Sequence, residues 1–359
     1  MPVADQLQRL IDKAVAKPAI RGVLAAIQSG NGEVDTAAVA GFADSGLALP
    51  LTVETPYFVA SITKMYTAVV VMQLAREDTL DLAVPIGDYL PAQLTSGIHI
   101  VDGTDRGSSI TVEQLLFQTS GLADYFAGSQ KGEPSLEQAL FAGTDKTLTI
   151  EDIAALARTL PPRFAPGAGG GRKAHYSDTN YALLGSIVQA VTGNPVAAGF
   201  EQRIFSPLGL QATYVFDHTK SQPTPAAAWH KDVALDIPLA MSSFPADGGV
   251  VATLGDSVRF LRGFFGGDLL SESELAYMTG RWNRIFFPMQ YGGGIMRFNL
   301  PRWIAPFKNP GELIGHSGST GSFAFYSRPR DVFVAGTVNQ SDRPNRPFGL
   351  MSAMLGLVK

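Results

Sequence analysis

The chain has 359 residues, of which 45% are hydrophobic and 17% charged, with a net charge of −4 and a pI near 5.8. That balance provides no basic surface for nucleic acid or an anionic membrane. The absence of cysteine excludes disulfides, thiol catalysis and Cys-ligated zinc.

At about 150 residues per domain, the length suggests two domains or one large one. Leu7, Leu10, Ile11 and Ala14 recur at helical spacing, and Lys17-Pro18 stops the run. Met1 to Lys17 lacks the basic start and apolar run of a secretory signal, and no later segment is a long apolar span. The expected location is cytoplasmic, or periplasmic if the sequence is truncated. Gly22–Ser29 and Glu33–Ala43, joined by Gly30-Asn31-Gly32, read as a hairpin. Pro50 to Val59 leads into Ser61, and Met65 to Ala75 reads as a buried helix.

The middle of the chain is mostly helical. Thr111 with Gln114 and Ser135 with Gln138 are capping boxes, and a third helix over Ile150–Leu160 stops at Pro161-Pro162. The glycine-rich stretch Phe164–Arg172 does not fit a phosphate cradle, because Arg172 holds the place of the last glycine and no strand precedes it. A helix follows Tyr176-Ser177-Asp178 and closes at Gly193-Asn194-Pro195. Phe200, Ile204 and Leu208 belong to a further helical piece. Strand signals return late. They cover Val250–Thr253, ahead of a helix over Leu254–Phe264, and then Tyr291–Asn299, Leu313–Gly315, Ser322–Ser327 and Val332–Val338, before a closing helix over Phe348–Val358. Strands at both ends and helices between them point to an α/β (α+β) fold. Its antiparallel sheet domain is expected from residues 1–60 and 240–359, and an inserted, mostly helical domain from 61–239.

The chemistry starts at Ser61-Ile62-Thr63-Lys64. Residues three apart share a helix face, so the serine and the lysine point the same way. A first-turn lysine among apolar residues is expected to have a lowered pKa, through desolvation and the helix dipole, and to be able to take a proton from the serine. The alternative is a serine cap beside a surface lysine.

Ser61-Ile62-Thr63-Lys64, Tyr176-Ser177-Asp178 and His316-Ser317-Gly318 stand in the order and spacing of the three active-site motifs of penicillin-recognising serine hydrolases. The pattern most resembles the class C β-lactamase branch, which also holds DD-peptidases, D-amino-acid peptidases and amidases, and carboxylesterases. Leu115–Leu122, Phe164–Gly167, Tyr181–Gly185 and Gly248-Gly249 extend the likeness along most of the chain. The resemblance implies a β-lactamase/transpeptidase-like fold with the site between the two domains. It implies Ser61 as the acylated nucleophile, Lys64 as the partner sharing its proton, and Tyr176 as a second base helped by the charge of Lys64. His316 and Ser317 would face the substrate with Gly318, Asp178 and Gln118. The backbone N–H groups of Ser61 and Ser319 would form the oxyanion hole. An imidazole titrates near neutrality, so His316 in place of the lysine of many relatives leans away from efficient β-lactam hydrolysis.

Asp178 departs from the asparagine common at that place. Three readings stand: it keeps Lys64 charged and leaves Tyr176 as the base, it caps the following helix, or it is protonated. Phe58, Tyr66, Phe117, Tyr125 and Phe126 are candidates for an apolar cleft wall, and His175 is a candidate lining residue. The scattered histidines have no metal-ligand spacing, so neither a metal nor a cofactor is expected. The expected activity is hydrolysis of a small ester, amide or peptide, with no nucleic acid or membrane partner. A penicillin-binding DD-peptidase or weak β-lactamase is an alternative. Two rivals remain: a nucleophile elbow at Gly315–Ser319 with Ser317 reactive, and a ligand-binding protein with no catalysis.

Overall fold

The computed structural model describes residues 1–16, 20–299 and 311–358. The expected helix stop at Lys17-Pro18 lies outside them. Eight strands form one antiparallel sheet, in the spatial order 283–286, 289–291, 296–298, 313–317, 322–327, 332–337, 22–29 and 35–41. The sheet therefore draws only on the two ends of the chain. Helices Val3–Val15, Leu254–Gly266 and Arg346–Leu355 pack on it. In the first of these Leu7 and Ile11 are buried, and Leu10 and Ala14 pack against the same core.

The expected strand 291–299 is in fact two strands. Gly292-Gly293-Gly294 turns the chain between Met289–Tyr291 and Met296–Phe298, with the Gly292 N–H bonded to the Ile295 carbonyl at 2.8 Å. Gly294 has φ +80°, and a Cβ there would lie 2.2 Å from the Ala68 Cβ, so neither the turn nor its close approach to the helix tolerates a side chain. The strand 283–286 was not anticipated.

Helix Thr63–Arg76 is the centre of the molecule, with every residue from Thr63 to Leu74 buried. A helix apolar on all sides must be surrounded, and this one is. Tyr66 stacks on Phe260 with ring centroids 3.7 Å apart. Thr63, Lys64 and Thr67 each find a partner on one passing segment, residues 246–250. The Thr67 hydroxyl donates to the Ala246 carbonyl at 2.6 Å, Lys64 donates to the Asp247 carbonyl at 2.8 Å, and Thr63 Oγ1 accepts the Val250 N–H at 3.1 Å. A small sheet (57–58, 250–252, 214–215) holds the chain leading into this helix. The expected capping boxes at Thr111 and Ser135 are present. The Thr111 helix runs from Val112 to Leu116. One connected apolar core runs from Leu7 to Leu355. Among the described residues no single helix is long and apolar enough to cross a membrane.

Candidate active site

Ser61 lies in a short 3₁₀ turn, Ala60–Ile62, that feeds the central helix. Ala60 adopts φ +50°, a left-handed conformation that costs an alanine about 1 kcal/mol. The surroundings enforce it. The Ser322 hydroxyl donates to the Val59 carbonyl at 2.7 Å, and the Thr320 hydroxyl to the Phe58 carbonyl at 3.2 Å. The turn after strand 313–317 is thereby fastened to the chain beside Ser61. Gly318 permits the approach, since a Cβ there would meet Ser322 Oγ at 2.3 Å and the Val59 carbonyl oxygen at 2.7 Å.

Lys64 is wholly buried. Its Nζ donates to Ser61 Oγ at 3.2 Å, to Asp178 Oδ1 at 2.5 Å and to the Asp247 carbonyl at 2.8 Å. The geometry expected from S-x-x-K is present, but the expected pKa is not. Burial is the largest influence and works to lower it. The charges of Asp178 and Asp247 together with the Asp178 hydrogen bond outweigh burial, and the pKa is raised. Lys64 rests as an ammonium.

Asp178 takes the first helical position of Asp178–Thr192, after Ser177 at the N-cap. It does not turn away to cap the helix, because its carboxylate is committed to Lys64. Its own N–H donates to Asp124 Oδ1 at 3.1 Å. Asp247 is also buried, and the Tyr125 hydroxyl donates to its Oδ2 at 2.7 Å. Burial, and then the charge of Asp178, push the Asp124 carboxyl up to about 8; burial likewise raises Asp247. Sequence reasoning missed both carboxyls. An aspartate just before Gly248-Gly249 was the available signal for one of them.

Tyr176 sits over Lys64, with Nζ 5.2 Å from the ring centroid. Its hydroxyl is buried and makes no full hydrogen bond, and Ser61 is a weak side-chain partner that favours the phenolate. Burial and the Asp178 charge prevail and hold the phenol well above its usual pKa. The expected lowering of the Tyr176 pKa by Lys64 is not seen, burial being the largest influence and the charge of Asp178 the next. Gln118 does not face the substrate as expected. It is wholly buried behind Tyr176, with φ +60°. Its backbone carbonyl accepts the His175 N–H at 3.0 Å and its Oε1 accepts the Ser177 N–H at 2.9 Å, so it grips the chain on both sides of Tyr176. Asn180 Nδ2 also donates to Oε1. Tyr291, another residue the sequence did not flag, lies edge-on to both Tyr176 and His316, at 5.7 and 5.8 Å between centroids.

His316 is buried in strand 313–317 opposite Ala324. Its Nδ1 lies 2.7 Å from the Ser317 carbonyl, which can only accept, so Nδ1 carries the proton. Burial and the nearby Lys64 charge lower its pKa to about 3. The expected near-neutral titration, with weak hold on a carboxylate, is thus corrected: the ring is neutral. Ser317 Oγ lies 3.7 Å from the Met296 sulfur, and the chain beyond it turns into another strand. That is not the strand-to-helix turn a nucleophile elbow needs.

A cleft of ≈ 710 Å³ opens at Ser61, with Ser319 and Thr320 on the same wall. The Ser319 N–H has no acceptor among the described residues, which leaves it available to an oxyanion. Phe58, Tyr125, Phe126, Phe216 and Phe244 line the cleft, with Phe58 against Phe216 at 5.1 Å and Phe126 against Phe244 at 5.7 Å. Tyr66 and Phe117 are core residues instead. Lys64 and His316 are buried beneath the cleft, whereas Tyr176 and His175 are partly exposed outside its lining. Asp178 and Asp247 reach it, and Lys220, the one lysine or arginine there among the described residues, pairs with Asp217 at 3.3 Å.

Comparison with known proteins gives a consistent placement. Esterase EstB of Burkholderia gladioli is 28% identical over 58% of this chain and 50% of its own length. The chain spans about half the length of the curated relatives it matches. The structure of a D-stereospecific amidohydrolase from Streptomyces sp. superposes with a TM-score of 0.75 at 29% identity, covering 95% of both chains. A D-amino acid amidase from Ochrobactrum anthropi SV3 superposes with a TM-score of 0.79 at 25% identity, covering 99% of this chain and 98% of that one. The family model described as Beta-lactamase matches residues 7–355. With the antiparallel sheet, the flanking helices and the ordered motifs, that match places the chain in the beta-lactamase family.

Proposed function

We propose that this chain is a serine hydrolase that cleaves a small ester or amide through an acyl-enzyme on Ser61. The observation that carries the reading is the Ser61 hydroxyl, 3.2 Å from a buried ammonium, at the mouth of a ≈ 710 Å³ cleft. Ser61 Oγ attacks the carbonyl carbon, and the oxyanion that develops is received by the N–H groups of Ser61 and Ser319, a kind of contact worth about 3–4 kcal/mol per donor. The raised pKa of Tyr176 suits it to giving a proton to the leaving group rather than taking one from Ser61. Water then hydrolyses the ester on Ser61.

The aromatic wall favours an apolar acyl group. A substrate carboxylate, as in a β-lactam or a DD-peptide, meets no unpaired lysine or arginine among the described cleft residues. The relatives named for esterase and D-amino acid amidase activity support the same range of substrates. Asp178 and Asp247 at the cleft surface favour, as a second reading, amino acid amides or esters with a free amine. The test is a panel of p-nitrophenyl esters, D-amino acid amides and nitrocefin, run on the wild type and on Ser61→Ala. Turnover of an ester or amide that vanishes in Ser61→Ala, with an acyl adduct on Ser61 by intact mass, is the expected result. Full turnover by Ser61→Ala would end the proposal.

A further inference from the structure

We propose that Asp178 is the final proton acceptor when Ser61 is activated, reached through Lys64. This rests on Ser61 being the nucleophile, and it assigns a role to the one motif position where the chain carries a carboxylate in place of an amide.

The geometry leaves few other routes. All three N–H groups of Lys64 are committed, to Ser61 Oγ at 3.2 Å, Asp178 Oδ1 at 2.5 Å and the Asp247 carbonyl at 2.8 Å. An ammonium in that state has no lone pair for the Ser61 proton, so Lys64 must first give one up. Of its three partners only Asp178 can hold a proton: the Ser61 hydroxyl is the group being deprotonated, and a peptide carbonyl is not a base. At 2.5 Å the proton has a short distance to travel. The Lys64 side chain is fully buried and that of Asp178 is 12% exposed, and removal from water narrows the gap between the charged pair and the neutral amine–acid pair.

The step balances as follows. The Lys64 Nζ–H bond breaks as the Asp178 Oδ1–H bond forms. The electron pair left on Nζ takes the Ser61 hydroxyl proton, restoring the ammonium. The Oγ pair forms the bond to the acyl carbon, and the carbonyl π pair moves onto its oxygen. When the intermediate collapses, the leaving group takes the Tyr176 proton; the Lys64 N–H that Ser61 Oγ, now an ester oxygen, has released passes its proton to the Tyr176 oxygen, and the proton held on Asp178 restores the ammonium.

Other carboxyl groups lie close to Asp178. Asp124 accepts the Asp178 N–H, and the charge of Asp178 is felt by Asp247, Glu137, Tyr125 and Tyr176; Tyr181 faces Lys64, Tyr291 lies beside Tyr176, and His316 on the neighbouring strand is neutral. Asp124 and Asp247 are both pushed upward by burial and by the charge of Asp178, so this cluster resists further negative charge. The same carboxylates oppose a phenolate at Tyr176.

The test is Asp178→Asn in the full chain, with kcat and KM for a p-nitrophenyl ester measured from pH 4 to 10. Asparagine keeps the acceptor oxygen for Lys64 and cannot take its proton. A relay predicts a fall in kcat/KM of about 100-fold or more at neutral pH, KM within twofold, and loss of the acid limb of the profile. If Tyr176 were the base under a permanently charged Lys64, removing the carboxylate would strengthen the cation's effect on the phenol, and activity would be kept or rise. That result overturns the proposal, as does a loss of activity with the acid limb still in place. If Asp178→Asn does not fold, a proton inventory of the wild type in mixed H₂O and D₂O decides: a curved plot, with more than one proton in flight, supports the relay and a straight line overturns it. Ser61→Ala separates the two levels. An active Ser61→Ala refutes the hydrolase reading, whereas an inactive Ser61→Ala beside a fully active Asp178→Asn refutes only the relay.

Discussion

Replacing Gly318 with alanine tests whether the turn beside Ser61 sets the oxyanion geometry. An added Cβ would stand 2.3 Å from Ser322 Oγ, 2.7 Å from the Val59 carbonyl oxygen and 2.8 Å from the Ala60 Cβ. Ser322 cannot simply rotate away, because its hydroxyl is bonded to that same Val59 carbonyl. Relief therefore requires the turn to move from the Val59–Ala60 backbone, opening the 2.7 Å contact to at least 3.0 Å, and Ser319 moves with it. Overpacking of this kind costs about 1–3 kcal/mol of stability. Misplacing an oxyanion donor costs on the order of 100-fold in kcat. Urea denaturation gives the first quantity and steady-state hydrolysis of a p-nitrophenyl ester the second. The expected result is a folded protein with kcat down by about 100-fold and KM within a few-fold. A Gly318→Ala protein with kcat within twofold of wild type would show that the Ser319 N–H is not an oxyanion donor.

Three further outcomes follow from the geometry. Ala60→Gly removes the cost of a left-handed alanine and should raise stability by about 1 kcal/mol, read as a higher urea midpoint; an unchanged or lower midpoint would show that Ala60 carries no such strain. Gln118→Met keeps the bulk but loses the Oε1 that holds the Ser177 N–H, so kcat should fall about tenfold or more with KM little changed; wild-type kcat would free Tyr176 from any dependence on Gln118. Asp247 has a raised pKa in the folded chain, so the folded state holds a proton that the unfolded state loses above about pH 4. Its contribution to stability therefore falls as pH rises from about 4 to neutrality, and Asp247→Asn should raise Tm at pH 8 more than at pH 5; equal shifts at the two pH values would contradict this.

What could be read in advance was local. Ser61 and Lys64 are one helical turn apart, so their meeting was written in the spacing, and the boxes at Thr111 and Ser135 needed only three residues of context. The sign of the Lys64 pKa was not local. It depends on Asp178, 114 positions later, and on Asp247 beyond it, whose charges reverse what desolvation alone would do. His316 looked like an open-site imidazole because a strand pattern does not reveal that Tyr176 and Tyr291 close over the ring. The run 291–299 read as one strand because its apolar residues mask a turn, although three successive glycines marked the spot. Gln118 resembled a cleft residue by motif, but its left-handed backbone, which sends its carbonyl and side chain toward Tyr176, has no signature in residue type.

Ser61, the proposed nucleophile, sits in the turn that feeds the enclosed helix Thr63–Arg76, while the cleft walls sit mainly on segments 43–49, 125–141 and 216–248. Chemistry and selectivity are thus housed in separate parts of the chain. Exchanging residues in those outer segments should retune which acyl groups enter and leave the nucleophile's bearings undisturbed. A change to the face of the helix between Thr63 and Leu74 would upset the reaction and the stability of the fold together.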